Sequence, residues 1–258
     1  MPSGTIWKGS IHFGDSHVPV KLHSAVKQER IQFHLLHRSD RVRLHQQMIC
    51  AYENIPVPAE DQIKGFEVEE GKYLIVDPEE LELTTPESSR MIEVHEFVKS
   101  GQISPLFLDH TYYLEPDSDI KAPGYSELAE LLRGMDAAGI CTWTMRKRSY
   151  LGALQASGRM LRLCTMRYAD EVLTAASLEL QEIDVSEKEL KIGSDLINQL
   201  TAPFEPRKFV NEHQQRLQKL IDTKARGEKV VLLRPRTLRP TPPDELLQAL
   251  EASLKKAA

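Results

Sequence analysis

Ile6-Trp7-Lys8-Gly9-Ser10-Ile11-His12-Phe13-Gly14-Asp15-Ser16-His17-Val18-Pro19-Val20-Lys21-Leu22 is the stretch on which the fold turns. Trp7, Gly9, Ile11 and Phe13 fall on one side of an extended chain, with Lys8, Ser10 and His12 on the other. That period of two is the signature of a half-buried β-strand. Gly14-Asp15 is a turn signal, after which Val18, Val20 and Leu22 resume the alternation opposite Pro19 and Lys21. Two strands joined as a β-hairpin or a β-corner are predicted.

Working outward, short apolar runs bounded by Pro, Gly and Asp predict further strands at Ile31 to Leu36, Val42 to Ile49, Tyr73 to Val76, Met91 to Val98 and Thr111 to Leu114. Such spacing favours a barrel or a large curved sheet. After Gly124 the period changes, and Leu128, Leu131, Leu132 and Met135 mark one amphipathic helix closed by Gly134 and Gly139. Strands are again predicted at Ile140 to Ser149, where Trp143 and Met145 alternate with Thr142, Thr144, Arg146 and Arg148, and at Arg159 to Tyr168. From Ser186 the pattern is helical. Ser186 and Glu189 form a capping box ahead of the stripe Leu190, Ile192, Leu196, Ile197 and Leu200, and Pro203 stops it. Phe209, Leu217, Leu220 and Ile221 mark a second helix ending near Gly227. Arg234 to Pro243 is rich in proline and arginine and reads as an extended linker. The final stripe, Leu246, Leu247, Leu250 and Leu254 behind the cap Asp244, is too short to be stable without a docking surface. No internal repeat or low-complexity tract stands out.

Composition narrows the function. The chain has 258 residues, 41% of them hydrophobic and 28% charged, as expected of a soluble globular protein. It has no apolar run of about 18 residues, and Met1-Pro2-Ser3-Gly4 does not open a signal peptide, so the expected compartment is the cytoplasm. Cys50, Cys141 and Cys164 are too few and too far apart for a disulfide framework or a four-ligand zinc site. No P-loop or nucleophile elbow occurs, and the carboxylates are scattered, so no enzyme is expected. The net charge of −5 is unevenly spread: +2 for residues 1–60, −12 for 61–130, −1 for 131–206 and +6 for 207–258. Between Cys141 and Ala169 stand Arg146, Lys147, Arg148, Arg159, Arg162 and Arg167 with no acidic residue. An acidic chain can therefore carry a local positive field.

Several segments, in order, resemble the prokaryotic Ku family. They are Ile6 to Gly14 with Val18 to Leu22, Phe33-His34-Leu35-Leu36-His37, Ile63 to Glu67 with Gly71-Lys72-Tyr73, Ile92 to Val98, Tyr112 to Pro116, Arg167 to Val172, and Asp244 to Leu254. The resemblance spans almost the whole chain. It implies a mixed β/α protein: a β-barrel core over residues 1–185 with a bridge insertion at approximately 30–75, a helical dimerisation arm over 186–228, and a proline-rich linker with a partner-binding helix over 229–258. It implies a homodimer in which the two bridges close a ring around duplex DNA, and helices after the barrel that swap across the dimer. The implied role is non-sequence-specific binding and protection of double-stranded DNA ends in non-homologous end joining, near the nucleoid, with recruitment and stimulation of DNA ligase D. Many relatives carry a cysteine-containing, zinc-ribbon-like turn near Arg43 to Val57, whereas here Cys50 stands alone, so no metal or other cofactor is expected.

Duplex DNA presents roughly one phosphate charge per 1.7 Å of axis, so a ring needs distributed cations rather than a base-reading helix. Candidate DNA contacts are Lys8, Lys21, Arg30, Arg38, Arg41, Arg43, Lys64, Arg146, Arg148, Arg162 and Arg167. Arg38, Arg41 and Arg43 are read as DNA contacts ahead of a solvated loop face, while Arg167 could instead pair internally with Asp170 or Glu171. His12, His17, His23, His34, His37 and His45 are read as structural or phosphate-contacting rather than as metal ligands. Trp7, Trp143, Tyr112 and Tyr113 are read as core before stacking platforms, and Leu128, Leu131 and Leu132 as core before interface. Leu246, Leu247, Leu250 and Leu254 are the candidate ligase-binding residues, and the acidic block of 61–130 would be a solvated exterior. The alternative is a general architectural or single-strand nucleic-acid binder, which would prefer single strands and ignore ends.

Overall fold

The computed structural model describes residues 4–27, 31–87, 89–118, 122–175 and 186–227. The chain divides into two units, one of residues 1–29 and 34–174 and the other of 30–33 and 175–258.

The first unit is built on the hairpin of the opening stretch: β1 (Trp7–Phe13) and β2 (Ser16–Ser24) pair antiparallel from Trp7↔Leu22 to Phe13↔Ser16. With β5 (Met91–Lys99), β6 (Leu108–Pro116), β7 (Ala137–Met145), β8 (Arg148–Ser157) and β9 (Met160–Met166) they close a barrel in the order β1-β2-β6-β9-β8-β7-β5. Closure is made by a short parallel pairing of β1 with β5, from Ser10↔Met91 to His12↔Glu93. A closed sheet has no free edge to be protected.

The barrel interior follows from the alternation. Ile11, Val20, Leu22, Ile92, Leu114, Leu154, Leu161 and Leu163 are fully buried. Trp143 lies among them, stacked on Tyr150 at 5.4 Å, and this is possible because position 152 is glycine: a Cβ there would stand 2.4 Å from the indole. One end is plugged by α2 (Ala122–Gly134), which buries Tyr125, Leu128, Ala129 and Leu132. The Tyr125 hydroxyl donates to the Leu114 carbonyl at 2.6 Å and accepts from the Leu161 amide at 2.7 Å. Burial pushes its pKa up.

Several expectations are corrected. The run Ile140 to Ser149 is a tight hairpin rather than one strand: β7 ends at Met145, and Arg146 and Lys147 both take positive φ, 53° and 61°. A two-residue turn of that hand matches the twist of the flanking strands. Arg146 therefore sits at a tip and does not share a strand face with Thr142 and Thr144. Leu131 and Met135 are exposed, because α2 turns only its Leu128 and Leu132 side to the barrel. Tyr113 also points outward, between His23 on β2 and Arg162 on β9, whereas Tyr112 packs against the core.

Between β2 and β5 lies the insertion, and it has no core of its own. Ile31 to Leu36 and Val42 to Ile49 are loops held by isolated bridges, Leu36↔Arg43 and Ile49↔Pro56, rather than strands. Two loops in it share one backbone pattern. In the first, Leu44 donates to Leu35, His37 to Val42 and Arg41 to His37, with Arg41 at φ 61°. In the second, Val57 donates to Met48, Cys50 to Ile55 and Asn54 to Cys50, with Asn54 at φ 56°. Residues 35–44 are thus repeated in conformation by 48–57. A two-stranded hairpin of β3 (Lys64–Glu69) and β4 (Lys72–Val76) follows, then α1 (Pro78–Leu83) on a capping box of Asp77 and Glu80.

The second unit contains α3 (Glu187–Leu200), capped by Ser186 with Glu189 as the spacing predicts, and α4 (Glu212–Ala225), which starts after Phe209 and ends before Gly227 at φ 76°. No residue of either helix is buried. Phe204 and Phe209 stack at 5.8 Å between them. The predicted linker and terminal helix, with Leu246, Leu247, Leu250 and Leu254, lie outside the described residues, as does Arg30.

Candidate functional site

The end of the barrel opposite α2 is a cationic rim. Lys8 sits near the start of β1, Arg90 just before β5, Arg146 and Lys147 on the β7–β8 tip, Arg148 at the start of β8, and Arg167 just after β9. The antiparallel and parallel registers bring these positions to one end, where β2 also finishes and the insertion leaves. Five separate strand ends thus gather basic residues that the sequence scatters.

Their environments differ. Arg167 donates to the carbonyls of Leu106 at 2.9 Å and Leu108 at 2.6 Å, and approaches Asp109 at 3.3 Å. It is held internally, but by Asp109 on β6 rather than by Asp170 or Glu171. Lys147 reaches Glu82 of α1 at 3.5 Å. Lys8, Arg90 and Arg146 have no carboxylate partner among the described residues. These three line a cleft of about 440 Å³ together with Thr5, Ser89 and Thr144, over an apolar floor of Ile6, Trp7 and Met145. A second cleft of about 340 Å³ on the other side of Arg146 contains Asp109, His110 and Tyr112. Burial is the main cause that raises the Tyr112 pKa, and the Arg146 charge opposes it.

The remaining nominated residues are elsewhere. Lys21 and Arg162 stand on the outer barrel wall: Lys21 faces Asp117 at 3.8 Å and Arg162 donates to Gln155 at 3.1 Å. Arg38, Arg41 and Arg43 are exposed on the first loop of the insertion, and Lys64 begins β3. Arg90 is not among the candidates from sequence, since it sits within the acidic block. A lone arginine just before a predicted strand was the available signal.

The histidines are mostly engaged. His12 and His17 meet edge to face at 4.2 Å, with Ser10 on His12 at 2.6 Å, and His23 contacts Glu115 at 2.9 Å. His37 approaches Asp40 at 3.1 Å, and the Val42 amide followed by His37 holds the Asp40 carboxyl below its ordinary pKa. In the second loop of the insertion, the amides of Glu53 and then Tyr52 bond the Cys50 sulfur and lower its pKa. Among the described residues no three His, Cys, Asp or Glu side chains come together there. No described helix is long and apolar enough to cross a membrane.

Comparison with known proteins agrees with this architecture. The model of the Ku70/Ku80 beta-barrel domain matches residues 12–192. The chain is 74% identical over 258 residues to the non-homologous end joining protein Ku 2 of Geotalea uraniireducens (strain Rf4), covering 100% of both. It is 38% identical over 227 residues to the non-homologous end joining protein Ku of Anaeromyxobacter sp. (strain K), 87% of this chain and 76% of that one. Its likeness to the corresponding protein of Heliobacterium modesticaldum is 37% over 254 residues, 98% of this chain and 91% of that one.

Proposed function

Because the chain belongs to the Ku family, with the family's β-barrel domain across residues 12–192, we propose that it binds the ends of double-stranded DNA in non-homologous end joining. It acts as a non-catalytic homodimer in the cytoplasm, at the nucleoid. The two insertions close a ring, the cationic barrel rims face the duplex, and selectivity for ends comes from threading, since a closed ring cannot mount a continuous duplex.

The observation that carries this reading is the rim itself. Lys8, Arg90, Arg146 and Arg148 are exposed at the end of the barrel from which the insertion departs. Arg38, Arg41, Arg43 and Lys64 continue the positive charge along the insertion. Contacts of this kind address phosphate and sugar and read no bases. Lys21, Arg30, Arg162 and Arg167 are weaker candidates under the same reading.

The homodimer is supported by what one chain leaves uncovered. Met48, Tyr52 and Phe66 on the insertion, and Ile197 and Leu200 on α3, are all more than half exposed. Apolar side chains left this exposed on one element are candidates for an interface, and residues 186–228 serve as the arm that the partner copy covers. The terminal stripe Leu246, Leu247, Leu250 and Leu254 is assigned to a ligase of the ligase D type.

Linear and covalently closed circular duplexes of one sequence test the proposal. Tight, salt-sensitive binding to the linear form alone is expected, and equal affinity for the circle would refute threading. Removing residues 244–258 should spare end binding while lowering ligase stimulation; unchanged stimulation would refute the docking role.

A further inference from the structure

The outer wall of the barrel carries a second constellation, at the end away from the cationic rim and apart from the surface assigned to DNA. We infer that His12 and His17 form a two-histidine chelate for a divalent late first-row transition metal ion, which staples β1 to β2.

Register is the first reason. His12 and His17 are cross-strand partners, next to the closing pair Phe13↔Ser16 of the hairpin. Residues directly opposite on an antiparallel pair hold their Cβ atoms about 4.5–5.5 Å apart on one face. The adjacent pair, Ile11 and Val18, turns the other way into the barrel, at 0% and 6% exposure. The core therefore fixes the backbone that carries both imidazoles, and no loop has to be ordered to bring them together.

Distance is the second. The Nδ1 atoms of His12 and His17 stand 3.1 Å apart, with the rings edge to face at 4.2 Å. Two nitrogens that share one metal at about 2.0–2.1 Å each are about 2.9–3.4 Å from one another, for angles at the metal between square-planar and tetrahedral. The pair already has that bite. A modest turn of each ring about its Cβ–Cγ bond, a soft torsion in histidine, brings both lone pairs to one point. In the neutral free pair one proton lies between the two nitrogens. The metal takes its place, and exposed His17 then carries its proton on Nε2.

Support behind the ligand is the third. Nε2 of His12 lies 2.6 Å from the hydroxyl of Ser10, two residues along the same strand face. A ligating histidine almost always has such a contact on its other nitrogen, which fixes tautomer and ring orientation. With Nε2–H donating to Ser10, Nδ1 is left bare for the metal. Imidazole ligands suit zinc, copper and nickel. Among the described residues no third His, Cys, Asp or Glu joins the pair. Water completes the coordination, and the ion exchanges instead of being caged as in a four-ligand structural site.

The test titrates the full chain with Ni2+ by calorimetry, in a Cys50→Ser background that removes a competing thiolate. His12→Asn and His17→Asn are each expected to lower the affinity at least about tenfold, and Ser10→Ala, which keeps both ligands, by about tenfold. His34→Asn is expected to change nothing. Saturating Ni2+ should raise the thermal midpoint of the parent protein and of neither ligand variant, while binding to DNA ends is unaltered. Without any substitution, Ni2+ should bleach the imidazole NMR signals of His12 and His17 ahead of the other histidines. Affinity that survives either ligand substitution overturns the chelate, as does an equal loss in His34→Asn or an even bleaching of all the histidines.

Discussion

The barrel and the insertion that leaves its rim use the same kinds of side chain to opposite ends. Ile11, Leu22, Ile92 and Leu114 are wholly buried, whereas Leu35 and Met48 are each 69% exposed and Tyr52 is 95% exposed. The difference is one of layers. Seven strands closed on themselves supply both sides of a core, but among the described residues no element packs behind the lone pair β3 and β4, and an isolated hairpin is marginal in water. Apolar character states that a residue needs covering; topology decides whether its own chain can do it. In the second unit, α3 and α4 repeat the lesson, each amphipathic and neither with a buried residue.

The sharpest way to break this contrast is to truncate one residue of each kind. Leu154→Ala removes a fully buried side chain and is expected to cost about 2–5 kcal/mol in urea unfolding, while Leu35→Ala should change the same midpoint little. Next in size, Gly152→Ala would place a Cβ 2.4 Å from Trp143 and 2.8 Å from the Cys164 carbonyl oxygen, and should destabilise the barrel by roughly 1–3 kcal/mol. On the other side of the contrast, Ile197→Asp with Leu200→Asp should shift sedimentation from dimer towards monomer and leave the unfolding of the barrel unchanged; a dimer that persists would remove α3 from the interface. Thiol labelling sharpens the comparison without mutation. Cys50, on the insertion and lowered in pKa, should be alkylated in the native state. Cys141, buried and pushed up to about 12, should react only on unfolding.

The smallest expected effect concerns pH. The Ser186 hydroxyl and then its amide hold Glu189 below its ordinary pKa. This contribution to α3 is complete above the unfolded carboxylate value and is lost as pH falls through the lowered folded one. The protection of amides in the first turn of α3, taken relative to their intrinsic exchange rates, should fall with acid over that window, and Glu189→Gln should remove the dependence.

Much of the barrel was legible because alternation is a direct record of an inside and an outside. β1 and β2 follow from it, as do the end of β6 and the α2 face of Leu128 and Leu132. The β7–β8 turn was not, since Arg146-Lys147 has neither Gly nor Asn and only the surrounding strands force its left-handed backbone. The insertion misled for the opposite reason: its apolar residues read as strands, yet no neighbouring strand completes them. Its doubled loop leaves no repeat in the sequence, because matching places hold different side chains, His37 against Cys50 and Asp40 against Glu53. Of the candidate site, the charge was visible in the sequence. The gathering of Lys8, Arg90 and Arg146 at one rim depends on strand order, and strand order leaves no local mark.

The seam between β1 and β5 carries one more consequence. These strands close the barrel directly, although the whole insertion intervenes between β2 and β5 in the chain. The insertion therefore hangs from a frame already complete without it, as an interchangeable module. Doubling the length of such a loop costs only about 0.6 kcal/mol in closure entropy. Under the proposed function, the bore of the ring would then be set by the insertion alone, with no strand of the barrel altered.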